Sequence, residues 1–130
     1  MLKAKDVMIK KVITLSPDAT LVEATKIFIA NGITGIPIVD ADEKVIGIIT
    51  EKDILNFVLT YSSKVQITKI KEAMTKNVIC FTSDTDIDKI ALCFSKSDIR
   101  RVPIVDEGRL VGIISRKDLI SSLISHDFKL

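Results

Sequence analysis

Histidine occurs once and tryptophan not at all among the 130 residues, and the chain has five glycines and three prolines. The lone histidine, His126, stands in the tail Ser125-His126-Asp127. No Cys/His spacing suits zinc, and neither a P-loop nor a Gly-x-Gly-x-x-Gly segment is present. A nucleophile with its base, an inequivalent carboxylate pair or a metal is therefore lacking, and no catalysis is expected. No apolar run approaches the ~20 residues of a membrane span, so no membrane partner is expected. The first residues, Met1-Leu2-Lys3-Ala4-Lys5-Asp6, lack the apolar stretch of a signal peptide, which predicts a cytoplasmic location. Aromatic residues are only 5% and scattered, leaving no stacking platform for single-stranded bases. The net charge is +2, with Lys and Arg interleaved among Asp and Glu. A clustered basic face is missing, and nucleic acid is not an expected partner. Cys80 and Cys93 both sit in apolar patterns and read as small core residues rather than a disulfide.

What is present is a repeat. Ile36-Pro37-Ile38-Val39-Asp40 returns as Val102-Pro103-Ile104-Val105-Asp106. Gly47-Ile48-Ile49-Thr50-Glu51-Lys52-Asp53-Ile54 returns as Gly112-Ile113-Ile114-Ser115-Arg116-Lys117-Asp118-Leu119. Upstream, Met8, Val12, Ile13, Asp18, Phe28 and Ile33 align with Met74, Val78, Ile79, Asp84, Phe94 and Ile99. The spacing shortens by one residue between the paired strands, where loop length is cheap to change. Such self-similarity is the mark of duplication. The predicted division is repeat 1 over residues 1–61, a polar connector over 62–70, and repeat 2 over 71–130.

Each copy reads as βαββα. Residues 12–15 form a short β-branched strand; Thr20 and Glu23 have the spacing of a capping box, and Asn31-Gly32 ends the helix they open. Leu21, Ala24, Ile27 and Phe28 share its inner face. Residues 35–39 and 45–49 are apolar strands joined as a hairpin, and in copy two Gly108 supplies what a tight turn wants. A second helix opens at Thr50 and at Ser115, with Ile54, Leu55 and Val58, or Leu119, Ile120 and Leu123, turned inward. A unit of ~60 residues is marginal alone, and strands apolar on both faces need cover on both sides. The fold class is thus α/β (α+β), with the two repeats expected to pack about a pseudo-twofold axis into one globular module.

Thr50-x-x-Asp53 and Ser115-x-x-Asp118 admit two readings. A hydroxyl three residues before an acid at a helix start is a capping box, worth about 1 kcal/mol. The same segment also suits a nucleotide: a carboxylate can accept two hydrogen bonds from vicinal ribose hydroxyls, while a hydroxyl and helix N-terminal amides suit phosphate. The two readings are compatible. Pro37 and Pro103, with the loops before them, read locally as strand entries.

The run of strand, Ser-Pro-Asp, helix, Ile-Thr-Gly-Ile-Pro-Ile-Val-Asp, then Gly-Ile-Ile-Thr-x-x-Asp-Ile resembles the cystathionine β-synthase (CBS) domain, and residues 5–124 look like a tandem pair. The resemblance implies clefts between the two repeats, adenosyl ligands such as AMP, ADP or ATP and less readily S-adenosylmethionine, no required cofactor, homodimerisation, and regulation of some protein partner. It assigns Asp53 and Asp118 to the ribose and Thr50 and Ser115 to the phosphate. It also implies that Ile13, Ile33, Thr34 and Gly35, and in copy two Ile79, Ile99 and Arg100, border the adenine, the pocket of one copy serving the aspartate of the other, with Pro37, Arg101 and Pro103 also among the nucleotide-binding residues. Where copy one has Thr34-Gly35, copy two has Arg100-Arg101. Beside Ser115 and Asp118, these guanidinium groups suit phosphate oxygens, so the Asp118 site is expected to favour phosphorylated adenosine. A ligand-free docking or dimerisation module is the alternative.

Overall fold

A computed structural model describes residues 2–61 and 65–128 and, of the side chains, those up to residue 125; the His126 side chain and connector residues 62–64 lie outside the described residues. In chain order the helices and strands are α1 (Ala4–Val7), α2 (Leu21–Asn31), β1 (Gly35–Val39), β2 (Val45–Thr50), α3 (Glu51–Tyr61), α4 (Ile87–Lys96), β3 (Arg101–Asp106), β4 (Arg109–Ser115) and α5 (Arg116–Phe128). The strands form two separate antiparallel pairs, β1 with β2 and β3 with β4.

The chain divides into two compact units, Ile13–Val78 and Met1–Val12 with Ile79–Leu130. These are cut differently from the repeats in the sequence. The residues before each repeat's first strand position serve the other copy's hairpin. Ile48 of β2 exchanges both amide bonds with Thr75, each at 2.9 Å, and Ile113 of β4 does the same with Ile9 at 2.9 and 3.0 Å.

In the unit Ile13–Val78, α2 starts where the capping box puts it. The Glu23 amide donates to Thr20 Oγ1 and the Thr20 amide to the Glu23 carboxylate. It stops at Gly32, whose φ of 62° is the left-handed conformation that glycine adopts freely. Leu21, Ala24 and Phe28 are buried against Ile36, Ile38, Ile49 and Ile70, with Ile27 at the margin. Connector residues 65–67 form a 3₁₀ turn, as do Ile70–Glu72. Within the connector, Thr68 and Ile70 are buried.

In the other unit, Ile87, Ile90 and Phe94 of α4 pack with Val102, Ile104, Ile114, Leu119 and Ala4. Helix α1 is tied down by the Ala4 amide donating to Thr85 O (2.8 Å) and the Lys5 amide to Ser83 O (3.0 Å), with Lys3 ion-paired to Asp86 and Lys5 to Asp84. At the β3–β4 turn Glu107 and Gly108 both take positive φ, 53° and 81°, as a type I′ hairpin requires.

Three expectations need correction. The strand predicted over residues 12–15 contracts to one parallel bridge, Leu15 with Ile38, mirrored by Phe81 with Ile104. Leu15 N donates to Pro37 O (3.2 Å) and Val39 N to Leu15 O (3.1 Å). Extending that ladder back to Ile13 would require an N–H at Pro37, which proline lacks; Pro103 stops the twin at Ile79 for the same reason. Leu55, predicted inward, is 62% exposed, Val58 is also exposed, and Ile120, the twin of Leu55, is 55% exposed. Ile54, Leu119 and Leu123 do face the cores as expected, and Phe57 joins them. Cys80 and Cys93 are free thiols and only half-buried.

Candidate functional site

Strand pairing assembles the candidate site residues of each copy. In the first, Gly35 lies opposite Thr50 in the β1–β2 register, and the Glu51 amide donates to Thr34 O at 3.0 Å. In the second, Arg101 lies opposite Ser115, and the Arg116 amide donates to Arg100 O at 2.9 Å. The loop before each proline is thus held at the start of the helix that carries the aspartate. Thr34, Gly35, Thr50 and Asp53 come together, as do Arg100, Arg101, Ser115 and Asp118.

The capping reading is realised in full at Thr50–Asp53 and by one of its two bonds at Ser115–Asp118. Asp53 N donates to Thr50 Oγ1 (3.1 Å) and Thr50 N to Asp53 Oδ2 (3.0 Å). In copy two Asp118 N donates to Ser115 Oγ at 3.1 Å. Two of the first amides of each helix, those of Glu51 and Asp53 or of Arg116 and Asp118, therefore have partners within the fold. Those amides are not free donors at the helix starts.

The copies part company at the aspartates. Asp53 Oδ1 accepts a hydrogen bond from the Thr75 hydroxyl at 2.9 Å. Since Oδ2 is taken by the Thr50 amide, both oxygens are engaged, although each keeps a further lone pair. Among the described residues the Asp118 carboxylate has no hydrogen-bond partner. The backbone position that Thr75 fills beside Ile48 is filled by Ile9 beside Ile113. Sequence reasoning missed Thr75 and Ile9. The signal was available: the alignment of Met8 with Met74 makes Ile9 the counterpart of Thr75.

Charge separates the copies as well. Helix α3 opens with Glu51-Lys52 after Thr34-Gly35, whereas α5 opens with Arg116-Lys117 after Arg100-Arg101. Arg100, Arg116 and Lys117 are exposed. Arg116 and Lys117 were also overlooked in the sequence, because they fall inside the x-x of the motif.

The remaining predicted residues divide by exposure. Ile13 and Ile79, left outside the ladder, are 39% and 47% exposed and present apolar surface. Ile33 and Ile99 are half-buried against their own cores. Pro37 and Pro103 are fully buried and act on the site through the strand geometry they impose. Among the described residues no group of three or more His, Cys, Asp or Glu side chains could hold a metal, and no helix is long and apolar enough to cross a membrane.

These features define a pair of small α/β repeats, each carrying a hydroxyl–aspartate helix start beside the strand-entry loop. The CBS domain family model matches residues 4–60 and again 70–125, and the chain belongs to that family. It is 40% identical over 119 residues to inosine-5'-monophosphate dehydrogenase of Methanocaldococcus jannaschii, a match covering 91% of this chain and 23% of that enzyme. The chain thus spans under a quarter of that relative's length. Among solved structures it is similar to the CBS domain pair of protein MJ0100, in complex with 5'-methylthioadenosine and S-adenosyl-L-methionine, at 38% identity and a TM-score of 0.82 over 97% of this chain and 98% of that one. The fold is also that of CBSX2, solved in complex with AMP, at 20% identity and a TM-score of 0.85 over 97% and 98%.

Proposed function

We propose that this chain is a regulatory module that senses an adenosyl compound, gripping the ribose through Asp118 and, more weakly, through Asp53, and that it catalyses no reaction. The observation that carries this reading is the juxtaposition, in each unit, of an aspartate-bearing helix start with the strand-entry loop. A ribose diol donates two hydrogen bonds, and a carboxylate with unused lone pairs is their natural acceptor. The ligands of the MJ0100 pair, both 5'-substituted adenosines, support the sugar as the common element. At Asp118 the neighbouring Arg100, Arg116 and Lys117 favour an anionic 5' substituent, which points to AMP, ADP or ATP ahead of the sulfonium compound. Occupancy regulates only to the extent that the ligand binds two states of the module unequally.

Titration calorimetry with AMP, ATP, S-adenosylmethionine and 5'-methylthioadenosine tests the proposal. Replacing Asp118 by Ala removes a charged acceptor, a loss of about 1.5–3 kcal/mol, so affinity falls roughly 10- to 100-fold. Unchanged affinity would leave Asp118 as a cap alone. The apolar side chains of α3 and α5 favour a second reading. Leu55, the 82%-exposed Leu59, and Ile120 suit self-association through these helices, with a homodimer as the product. If no adenosyl compound raises the melting temperature while sedimentation shows a dimer, this second reading prevails.

A further inference from the structure

We propose that Thr75 is an internal competitor for the ribose at Asp53, and that Ile9, by lacking a hydroxyl at the twin position, leaves Asp118 open; these two residues set which helix start fills first. This rests on the adenosyl reading above.

The geometry is duplicated except for the side chain. Thr75 and Ile48 exchange both amide bonds at 2.9 Å, and Ile9 and Ile113 do so at 2.9 and 3.0 Å. Ile48 precedes Asp53, and Ile113 precedes Asp118, by the same stretch of strand and helix start. From that shared position the Thr75 hydroxyl reaches Asp53 Oδ1 at 2.9 Å, while Ile9, at the twin backbone position, offers only hydrocarbon, and the Asp118 carboxylate has no partner among the described residues. A diol binding at Asp53 must displace the Thr75 hydroxyl or use the less favourable remaining lone pairs. A diol binding at Asp118 displaces only water. Thr75 is exposed, so its displaced hydroxyl regains a bond to water, and the handicap is at the small end of the range for bonds to charged groups.

The distinguishing probe is 5'-methylthioadenosine, which carries the ribose without a phosphate and so removes the arginines from the comparison. Amide resonances of Asp53 and Asp118 report the two sites separately by NMR. In the wild type, Asp118 responds at about tenfold lower ligand concentration than Asp53, a difference of about 1.4 kcal/mol. Thr75→Val, isosteric and on the surface, tightens the Asp53 site about tenfold and leaves Asp118 unchanged. Ile9→Thr supplies the hydroxyl to copy two and weakens the Asp118 site by a similar factor. Equal wild-type affinities, or a Thr75→Val chain whose Asp53 response is unchanged, overturn the competitor and leave the adenosyl reading standing. Silence of both amides toward 5'-methylthioadenosine and AMP alike overturns both.

Discussion

Replacing Gly112 by Ala tests how tightly the N-terminal segment is locked against β4. A Cβ added there would stand 2.5 Å from Met8 Sδ, 2.8 Å from its Cγ and 3.0 Å from its Cβ. The flexible thioether alone can swing aside, but the Met8 Cβ cannot, because the adjoining Ile9 is fixed by its paired amide bonds to Ile113 and the Met8 amide donates to Ala4 O at 2.9 Å. The segment must therefore back away from β4 or the strand must shift. Overpacking of this kind costs about 1–3 kcal/mol. At about 4 °C per kcal/mol for a chain of this size, the melting temperature falls roughly 4–12 °C. Differential scanning calorimetry reads the drop, and hydrogen exchange at the Ile9 amide locates it. Adding Met8→Ala removes the two closest atoms. The double variant should be more stable than the sum of the single effects predicts, by about 1 kcal/mol or more. A Gly112→Ala protein within about 0.5 kcal/mol of the wild type, a typical surface effect, would refute the reasoning, and so would strict additivity with Met8→Ala.

Two further outcomes follow from charge. Asp86 is held below the usual carboxylate range by the Lys3 ammonium, through a hydrogen bond and then its charge, and Asp106 by the hydroxyl and amide of Ser83. A carboxyl lowered by folding stabilises at pH above its unfolded value and ceases to do so as pH falls through the folded one. The α1 segment should accordingly loosen first as the pH drops below about 4; an NMR acid titration in which its amides shift no earlier than those of α2 would contradict this. At the site, Arg116→Glu combined with Lys117→Glu should weaken ATP by about tenfold or more while changing 5'-methylthioadenosine little; equal loss for both ligands in calorimetry would show that the two cations do not act on the phosphates.

Much of this was legible from the sequence because the duplication repeats every local signal. The capping box at Thr20, the left-handed stop at Gly32 and the hairpin partners of Pro37 and Pro103 all follow from short-range rules. What escaped was governed by pairing between distant positions. Residues 12–15 have the β-branched composition of a strand, yet the missing N–H at Pro37 limits their pairing to Leu15, and only the parallel register discloses that. Leu55 and Ile120 fit an apolar helical stripe, but the stripe that packs is set by the strands beneath it and centres on Ile54 and Leu119. The hydroxyl of Thr75 was visible as a letter; its contact with Asp53 depends on a bridge between residues on opposite sides of α3 in the chain.

The split unit has a bearing on how the protein is made. As the chain leaves the ribosome, everything from Ile13 to Val78 is contiguous and free to condense as soon as it emerges. The first dozen residues precede it in the chain, yet their partners at Ser83, Thr85 and Ile113 all follow it. Leu2, Val7 and Met8, which pack on the core built from those later residues, must wait in water until Ile13–Val78 and that core have been made. Lys3, Lys5, Asp6, Lys10 and Lys11 flank them, and charges so placed act as gatekeepers that keep a waiting apolar stretch from sticking to its neighbours.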